Sequence, residues 1–474
     1  MDRLLISAAH KSSGKTTISI GLVAALAARG VGVQPFKKGP DYIDPMWLAL
    51  AGGQPCFNLD AWLADEAALA QGFAQHAQAA DLALVEGNKG LYDGLALDGS
   101  NSNAALARQL GLPVLLVIDA RGMTRGIAPL ILGYQAFDRS IRIGGVILNR
   151  VGGARHEAKL RAVIEHYTDV PVLGAVAEDP RLAMTERHLG LMPCAEVDDA
   201  QARVRGIGDI VASQVDLARV QALAASAGPL PATTREQAAS AQRRCGDLRI
   251  GIARDRAFGF YYPDDLAALE AAGAELVAID TLHDAHLPAI DGLFIGGGFP
   301  EAHMDALEAN RSLRTELRAA IEGGLPTYAE CGGLMYLSRS ISWAGRSAAM
   351  VGVIPGDAVM QPRPVGRGYV RLQAGAAHPW GGMAGELRGH EFHHSRLEHL
   401  DPDVDFAYRV QRGHGIDGHH DGLMVHKLLA SYTHLRSGAG SDWAPRFVAF
   451  VRHERDLRDV RSRRVAATPL ACAA

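Results

Sequence analysis

Cysteine is scarce in this chain: 474 residues hold five, at Cys56, Cys194, Cys245, Cys331 and Cys472. Their odd number and wide spacing exclude a disulfide framework and the paired spacing of a zinc site. Long apolar runs are also lacking, so no segment reads as a membrane span, and no signal peptide precedes the first strand. Neither sign of charge dominates: 48 Lys and Arg against 52 Asp and Glu leave a net charge of −4, which offers no basic surface to nucleic acid. There is no internal repeat. What remains is the expectation of a soluble cytoplasmic enzyme with no nucleic-acid or membrane partner. Apolar residues make up 48% of the chain, enough for well-packed α/β domains. The length suits two or three domains, each with its own core.

Short β-type runs alternate with helical spacing through the first half. Residues 4–10, 33–37, 82–86, 114–119, 145–149 and 172–176 read as buried strands. Ala- and Leu-rich stretches such as 18–28 and 103–110 lie between them, which implies a parallel sheet covered by helices on both faces. Ligands in that architecture sit at the carboxyl ends of the strands. Residues 1–223 are therefore assigned to one domain and 224–247, rich in Ala, Ser, Thr, Gln and Pro, to a linker. A second strand–helix series runs over 248–451, with strands at 248–253, 275–279, 292–297 and 326–330. Residues 452–474, mixing arginines with acids, read as a solvated tail or terminal helix.

The most informative motif is Ala9-His10-Lys11-Ser12-Ser13-Gly14-Lys15-Thr16-Thr17, directly behind the first strand. It is a phosphate-binding loop in which backbone N–H groups cradle phosphate, Lys15 neutralises charge and the Thr16 hydroxyl ligates Mg²⁺. Ala9 stands where the first glycine is usual. Lys11 supplies the second lysine of deviant loops of this kind. A helix over 17–29 points its positive end at the phosphates. Asp41 and Glu86 both follow strands and are the candidate carboxylates for the metal at Thr16, since Mg²⁺ needs only one or two besides phosphate and water. Asp93 is a further candidate for substrate or phosphate. Asn149, at the end of a strand, is placed to read the adenine edge.

The second domain carries Tyr328-Ala329-Glu330-Cys331-Gly332-Gly333. A strand meeting a helix over 333–337 at a small-residue turn exposes a nucleophile and aims backbone N–H groups at a developing oxyanion. Gly332 and Gly297, the latter in the Gly296-Gly297-Gly298 loop, are the candidate oxyanion groups. Of nineteen histidines, His434 follows a short β-type run about a hundred residues after Cys331 and is the candidate base. His390, His393 and His394 form a dense cluster, but their spacing does not match H-E-x-x-H, which argues against a metalloprotease.

From about residue 3 to residue 451 the chain resembles the a,c-diamide synthases of the cobalamin pathway. The resemblance rests on Lys38-Gly39-Pro40-Asp41-Tyr42-Ile43-Asp44, Ala257-Phe258-Gly259-Phe260-Tyr261-Tyr262-Pro263, Gly296-Gly297-Gly298-Phe299-Pro300-Glu301, Ala329-Glu330-Cys331-Gly332-Gly333, Gly389-His390-Glu391-Phe392 and Ser431-Tyr432-Thr433-His434. The N-terminal half is also similar to dethiobiotin synthetase, and the C-terminal half to class I glutamine amidotransferases of the cobyric-acid subtype. The fold class so implied is α/β in two domains, each a mostly parallel sheet flanked by helices, P-loop NTPase-like and then class I amidotransferase-like.

The resemblance implies a division of labour. Glutamine is hydrolysed through a thioester on Cys331 with His434 as base. ATP and Mg²⁺ at the loop of Lys11, Gly14, Lys15, Thr16 and Thr17 phosphorylate an acetate carboxylate of a corrinoid substrate, and ammonia displaces the phosphate. The ring substrate is hydrogenobyrinate or cobyrinate, with nickel-sirohydrochlorin diamide synthase and cobyric acid synthase as the neighbouring readings. A deviant P-loop regulatory ATPase is a distant one that leaves the Cys331 domain without a purpose. A homodimer is a further expectation. A loop over 186–191 is a candidate for contact with the polycarboxylate ring. Many amidotransferases place a Glu two residues after the catalytic His. Here Arg436 holds that position, and the group that orients His434 is left open.

Overall fold

The computed structural model describes residues 1–187, 190–230, 247–376, 378–381, 383, 385–438 and 441–466. It divides into two compact units, Met1–Glu236 and Gln237–Ala474. Most of the expected linker lies outside the described residues. The helix Leu217–Ala225 extends into its first two positions.

The first unit holds seven strands: β1 (Asp2–Ala8), β2 (Val33–Lys38), β3 (Phe57–Leu59), β4 (Leu82–Glu86), β5 (Val114–Asp119), β6 (Ile143–Val151) and β7 (Val172–Ala177). They order as β3-β2-β4-β1-β5-β6-β7, with every pairing parallel. Parallel strands are buried on both faces and so read as continuous apolar runs, which is why six of the seven are visible in sequence. The seventh, β3, spans three residues at the sheet edge. Leu5, Phe36, Val85, Leu116 and Leu148 are fully buried between the sheet and its helices. Register places the chemistry, because Glu86 pairs with Ile6 of β1 on one side and with Lys37 of β2 on the other. Helix α1 (Lys15–Ala27) starts two residues earlier than its apolar spacing suggests, since Gly14 takes a left-handed φ of 81° and turns the loop directly into the helix.

The second unit is built on a nine-stranded sheet. Its strands are β8 (Leu248–Ala253), β9 (Ala274–Ile279), β10 (Gly292–Ile295), β11 (Thr327–Glu330), β12 (Gly366–Ala374), β13 (Gly385–His393), β14 (Asp405–Arg412), β15 (His420–Val425) and β16 (Leu428–Ser431). The order is β9-β8-β10-β11-β16-β15-β14-β12-β13. Pairing is parallel from β9 to β16 and antiparallel from there to β13. The expected mostly parallel sheet is thus corrected to a mixed one. The antiparallel strands keep a solvated face, as in the alternating burial of Gly366–Ala374, and their polar residues hide them from a search for apolar runs.

The helix Trp443–Ala466 runs straight through the expected boundary at 451. Its Trp443, Phe447 and Val451 pack on Phe294 and Tyr328 in the core of the second unit.

Candidate functional site

The loop after β1 and the ends of β2 and β4 form one charged cluster. Lys15 Nζ lies 2.6 Å from Glu86 Oε1, and the Thr16 hydroxyl donates to the same oxygen at 2.7 Å and to Asp44 Oδ2 at 3.2 Å. Lys37 joins from β2, donating to Glu86 Oε1 at 3.1 Å and to Asp44. Two ammonium groups and two carboxylates therefore meet beside Thr16. Burial opposes the charge on Lys37, but Asp44, Glu86 and Asp41 together push its ammonium well above the ordinary lysine value. Burial dominates for Lys15 and holds it below that value despite Glu86. Burial would raise Asp44, yet Lys37 and Lys15 keep it below the usual carboxylate range.

Glu86 and Asp44 are the carboxylates placed against Thr16. Asp41 stands one contact away, its Oδ2 3.7 Å from Lys37, while its Oδ1 accepts from the backbone of Ile43 at 3.0 Å and of Asp44 at 3.1 Å. These bonds satisfy the first two backbone N–H groups of the helix α2 (Ile43–Gly52), whose N-cap position is Tyr42. Burial first, and repulsion from Asp44 second, push the Asp41 carboxyl up to about 7. Glu86 Oε2 is buried without a hydrogen-bond partner, so it is free to take a cation. Among the described residues no three His, Cys, Asp or Glu side chains form a metal cage by themselves. A hard ion here would draw on hydroxyl, carboxylate, phosphate and water oxygens together.

The remaining first-unit candidates divide. Lys11 is exposed, and the second buried ammonium beside Lys15 is Lys37. Asn149 donates its amide to Ser13 O at 2.9 Å, which commits one of its protons to holding the loop. With Gly14 and Thr17 it lines a cleft of about 450 Å³ that continues along residues 177–183 after β7. Asp93 is exposed and accepts from Gly90 N at 2.8 Å, an arrangement that closes a turn. In the 186–191 segment, Glu186–Arg187 and Gly190–Leu191 pair as a short hairpin. Arg187 is ion-paired to Glu196 at 2.7 Å. Residues 188 and 189 lie outside the described residues. Sequence reasoning missed Asp44 and Lys37, although Asp44 ends the quoted Lys38–Asp44 block and Lys37 ends the strand expected just before it.

In the second unit Cys331 sits between β11 and the helix Gly332–Leu337 with φ 49° and ψ −100°. A left-handed φ at a non-glycine residue is strained, and nucleophile turns store such strain. Register supplies the partner: Glu330 pairs with Ser431 of β16, and Cys331 N donates to Ser431 O at 2.7 Å. His434, three residues on, is thereby brought beside the thiol, close enough for the two to interact. Its Nδ1 lies 3.1 Å from Glu330 Oε2. Burial opposes protonation of this ring, but Cys331 and Glu330 outweigh it and push it up to about 10. A Cβ on Gly297 would come within 2.7 Å of His434 Cε1, and one on Gly332 within 2.9 Å of Gly298 N, so the glycine loop lies against the nucleophile turn.

The other histidines are occupied differently. His390 stacks on His434 with centroids 4.9 Å apart. His393 stacks on Tyr432 at 3.9 Å, and the Nδ1 of His394 faces Gln361 O at 3.3 Å. Glu330 was quoted in the sequence motif without a role. Its signal was a carboxylate at the end of a buried strand.

Residues 5–191 match the CobQ/CobB/MinD/ParA nucleotide binding domain family, and residues 249–440 match the CobB/CobQ-like glutamine amidotransferase domain family. Among curated proteins, the chain is 47% identical to a cobyrinate a,c-diamide synthase of Magnetococcus marinus, over 95% of this chain and 97% of that one. It is 42% identical to the protein of that name from Methanosarcina barkeri, over 96% and 97%. A Listeria monocytogenes protein of the same name is 38% identical over 92% and 96%.

Proposed function

The chain belongs to the cobyrinate a,c-diamide synthase family, and on that premise we propose that it amidates the a and c acetate side chains of cobyrinate in cobalamin biosynthesis, consuming ATP and glutamine. The observation that carries this reading is the presence, in one chain, of a phosphate loop opposed by Glu86 and of a buried Cys331–His434 pair. Neither alone makes an amide from a free acid and glutamine. A carboxylate is a poor electrophile, so it needs a leaving group, and glutamine nitrogen must be released as ammonia.

At the second site the Cys331 sulfur attacks the side-chain amide carbon of glutamine as His434 takes the thiol proton. His434 then returns that proton to the departing ammonia, leaving a glutamyl thioester that water hydrolyses. At the first site the acetate oxygen attacks the γ-phosphorus of ATP and ADP leaves. Ammonia then attacks the acyl phosphate carbon and inorganic phosphate departs. Lys15 meets the charge that builds on the phosphoryl oxygens, and Lys37 keeps Glu86 and Asp44 neutralised when Lys15 turns to phosphate. Thr16, Glu86 and Asp44 would hold Mg²⁺, which when bound neutralises the triphosphate. The 177–183 cleft beside Asn149 and Gly14 is the proposed seat of the base. Offering cobyrinate, hydrogenobyrinate and nickel-sirohydrochlorin side by side tests the substrate. Glutamine-dependent double amidation of cobyrinate is expected, and turnover of nickel-sirohydrochlorin alone would overturn it.

A further inference from the structure

Where many amidotransferases carry a glutamate two residues after the base, this chain has Arg436. Its guanidinium is ion-paired to Asp264 and lies over the Tyr262 ring at 5.4 Å from the centroid. The carboxylate on His434 comes instead from the residue before the nucleophile. Glu330 ends β11 and is 2% exposed. Its Oε1 is held by two donors, Tyr328 OH at 2.6 Å and Leu435 N at 3.0 Å. Its Oε2 is left facing His434 Nδ1 at 3.1 Å.

We propose that Glu330 is the positioning residue of the glutamine-hydrolysing site, fixing the orientation and tautomer of His434 from the strand that carries Cys331. The inference rests on the reading of Cys331 and His434 as the glutaminase pair. Its physical content is a matter of donors and acceptors. A carboxylate on Nδ1 requires a proton there, which leaves the other ring nitrogen to take up the thiol proton and stabilises the imidazolium so formed. Two anchors on Oε1 remove the freedom of the carboxylate to turn away. The parallel His390 ring covers one face of the imidazole. Burial and the neighbouring His434 hold His390 well below the ordinary histidine value, so it remains neutral there. Because Glu330 and Cys331 are consecutive, one backbone turn sets the nucleophile and the group that orients its base.

Glu330→Gln is the discriminating variant. Its amide oxygen can keep the bonds from Tyr328 and Leu435, while its NH₂ faces Nδ1 and drives the proton to the other ring nitrogen, where it blocks acceptance from Cys331. Glutaminase kcat should fall on the order of 10²-fold or more, with KM for glutamine little changed. The ¹⁵N spectrum of the His434 ring should show a protonated Nδ1 in the wild type and a bare one in the variant. Glu330→Asp keeps the charge and should recover part of kcat with Nδ1 still protonated. A wild-type ring with bare Nδ1 overturns the proposal whether or not the variants fold. So does a Gln variant with wild-type kcat, or equal losses in Gln and Asp. A wild type without glutaminase activity would overturn the proposed function as well, so the two failures are distinguishable.

Discussion

Replacing Asp41 with Asn should stabilise the protein at alkaline pH while impairing amidation. The native carboxyl is pushed up to about 7 from 3.8, so the folded state binds this proton more tightly than the unfolded chain does. Protonated Asp41 carries no penalty. The penalty grows as pH rises from about 4 and is complete above about 7. At full desolvation a shift of about three pH units corresponds to about 4 kcal/mol. The side chain keeps 34% of its surface in solvent, so screening reduces the gain to about 1–2 kcal/mol. Asn retains the bonds to Ile43 N and Asp44 N and removes only the charge. Thermal melts without nucleotide should show the variant more stable by about 2–8 °C at pH 8.5, taking 2–4 °C per kcal/mol. At pH 4.5 the difference should nearly vanish. Glutamine-dependent amidation should fall while glutaminase activity persists. A gain of equal size at both pH values, or a loss at pH 8.5, would refute the electrostatic reasoning.

Glu86→Gln leaves Lys15 and Lys37 sharing Asp44, so it should cost about 3–5 kcal/mol in the nucleotide-free protein and abolish ATP-dependent phosphate release; unchanged melting would contradict this. Gly14→Ala places a methyl group 2.1 Å from Asn149 Nδ2 at a φ of +81° and should cost about 1–3 kcal/mol; calorimetry should show weakened ATP binding, and wild-type affinity would contradict it. His434, raised to about 10, contributes stability that is whole below its unfolded value of about 6.5 and lost as pH climbs through 10. Melts of the wild type between pH 8 and pH 10.5 should therefore fall more steeply than those of His434→Gln.

The parallel half of the fold was legible because strands buried on both faces must be apolar throughout, as in Leu82–Glu86 and Val114–Asp119. The β3 edge strand was too short to show a pattern, β12 alternates buried and exposed positions, and β13 to β15 interrupt their apolar residues with polar ones. Motif chemistry marked Lys15, Thr16, Glu86, Cys331 and His434, since each residue type has a narrow use at its position. Motif chemistry could not show which carboxylate of the Asp41–Asp44 pair faces Thr16. One turn of chain puts either within reach, and the bonds to the start of α2 decide the matter for Asp41. Glu330 escaped notice for a related reason. Its partner lies 104 residues away and is brought in by the pairing of β11 with β16.

The central claim is that two separable chemistries on one chain share ammonia, and paired assays of Cys331→Ala and Lys15→Ala test it most directly. Each variant is given ATP and the corrinoid acid, first with glutamine and then with ammonium chloride at a pH that supplies free ammonia. Cys331→Ala should lose glutamine-dependent amidation and keep most of the ammonia-driven reaction, while Lys15→Ala should lose both. A folded Cys331→Ala protein that fails with ammonia as well would contradict the account, because the cysteine would then belong to the synthetase step itself.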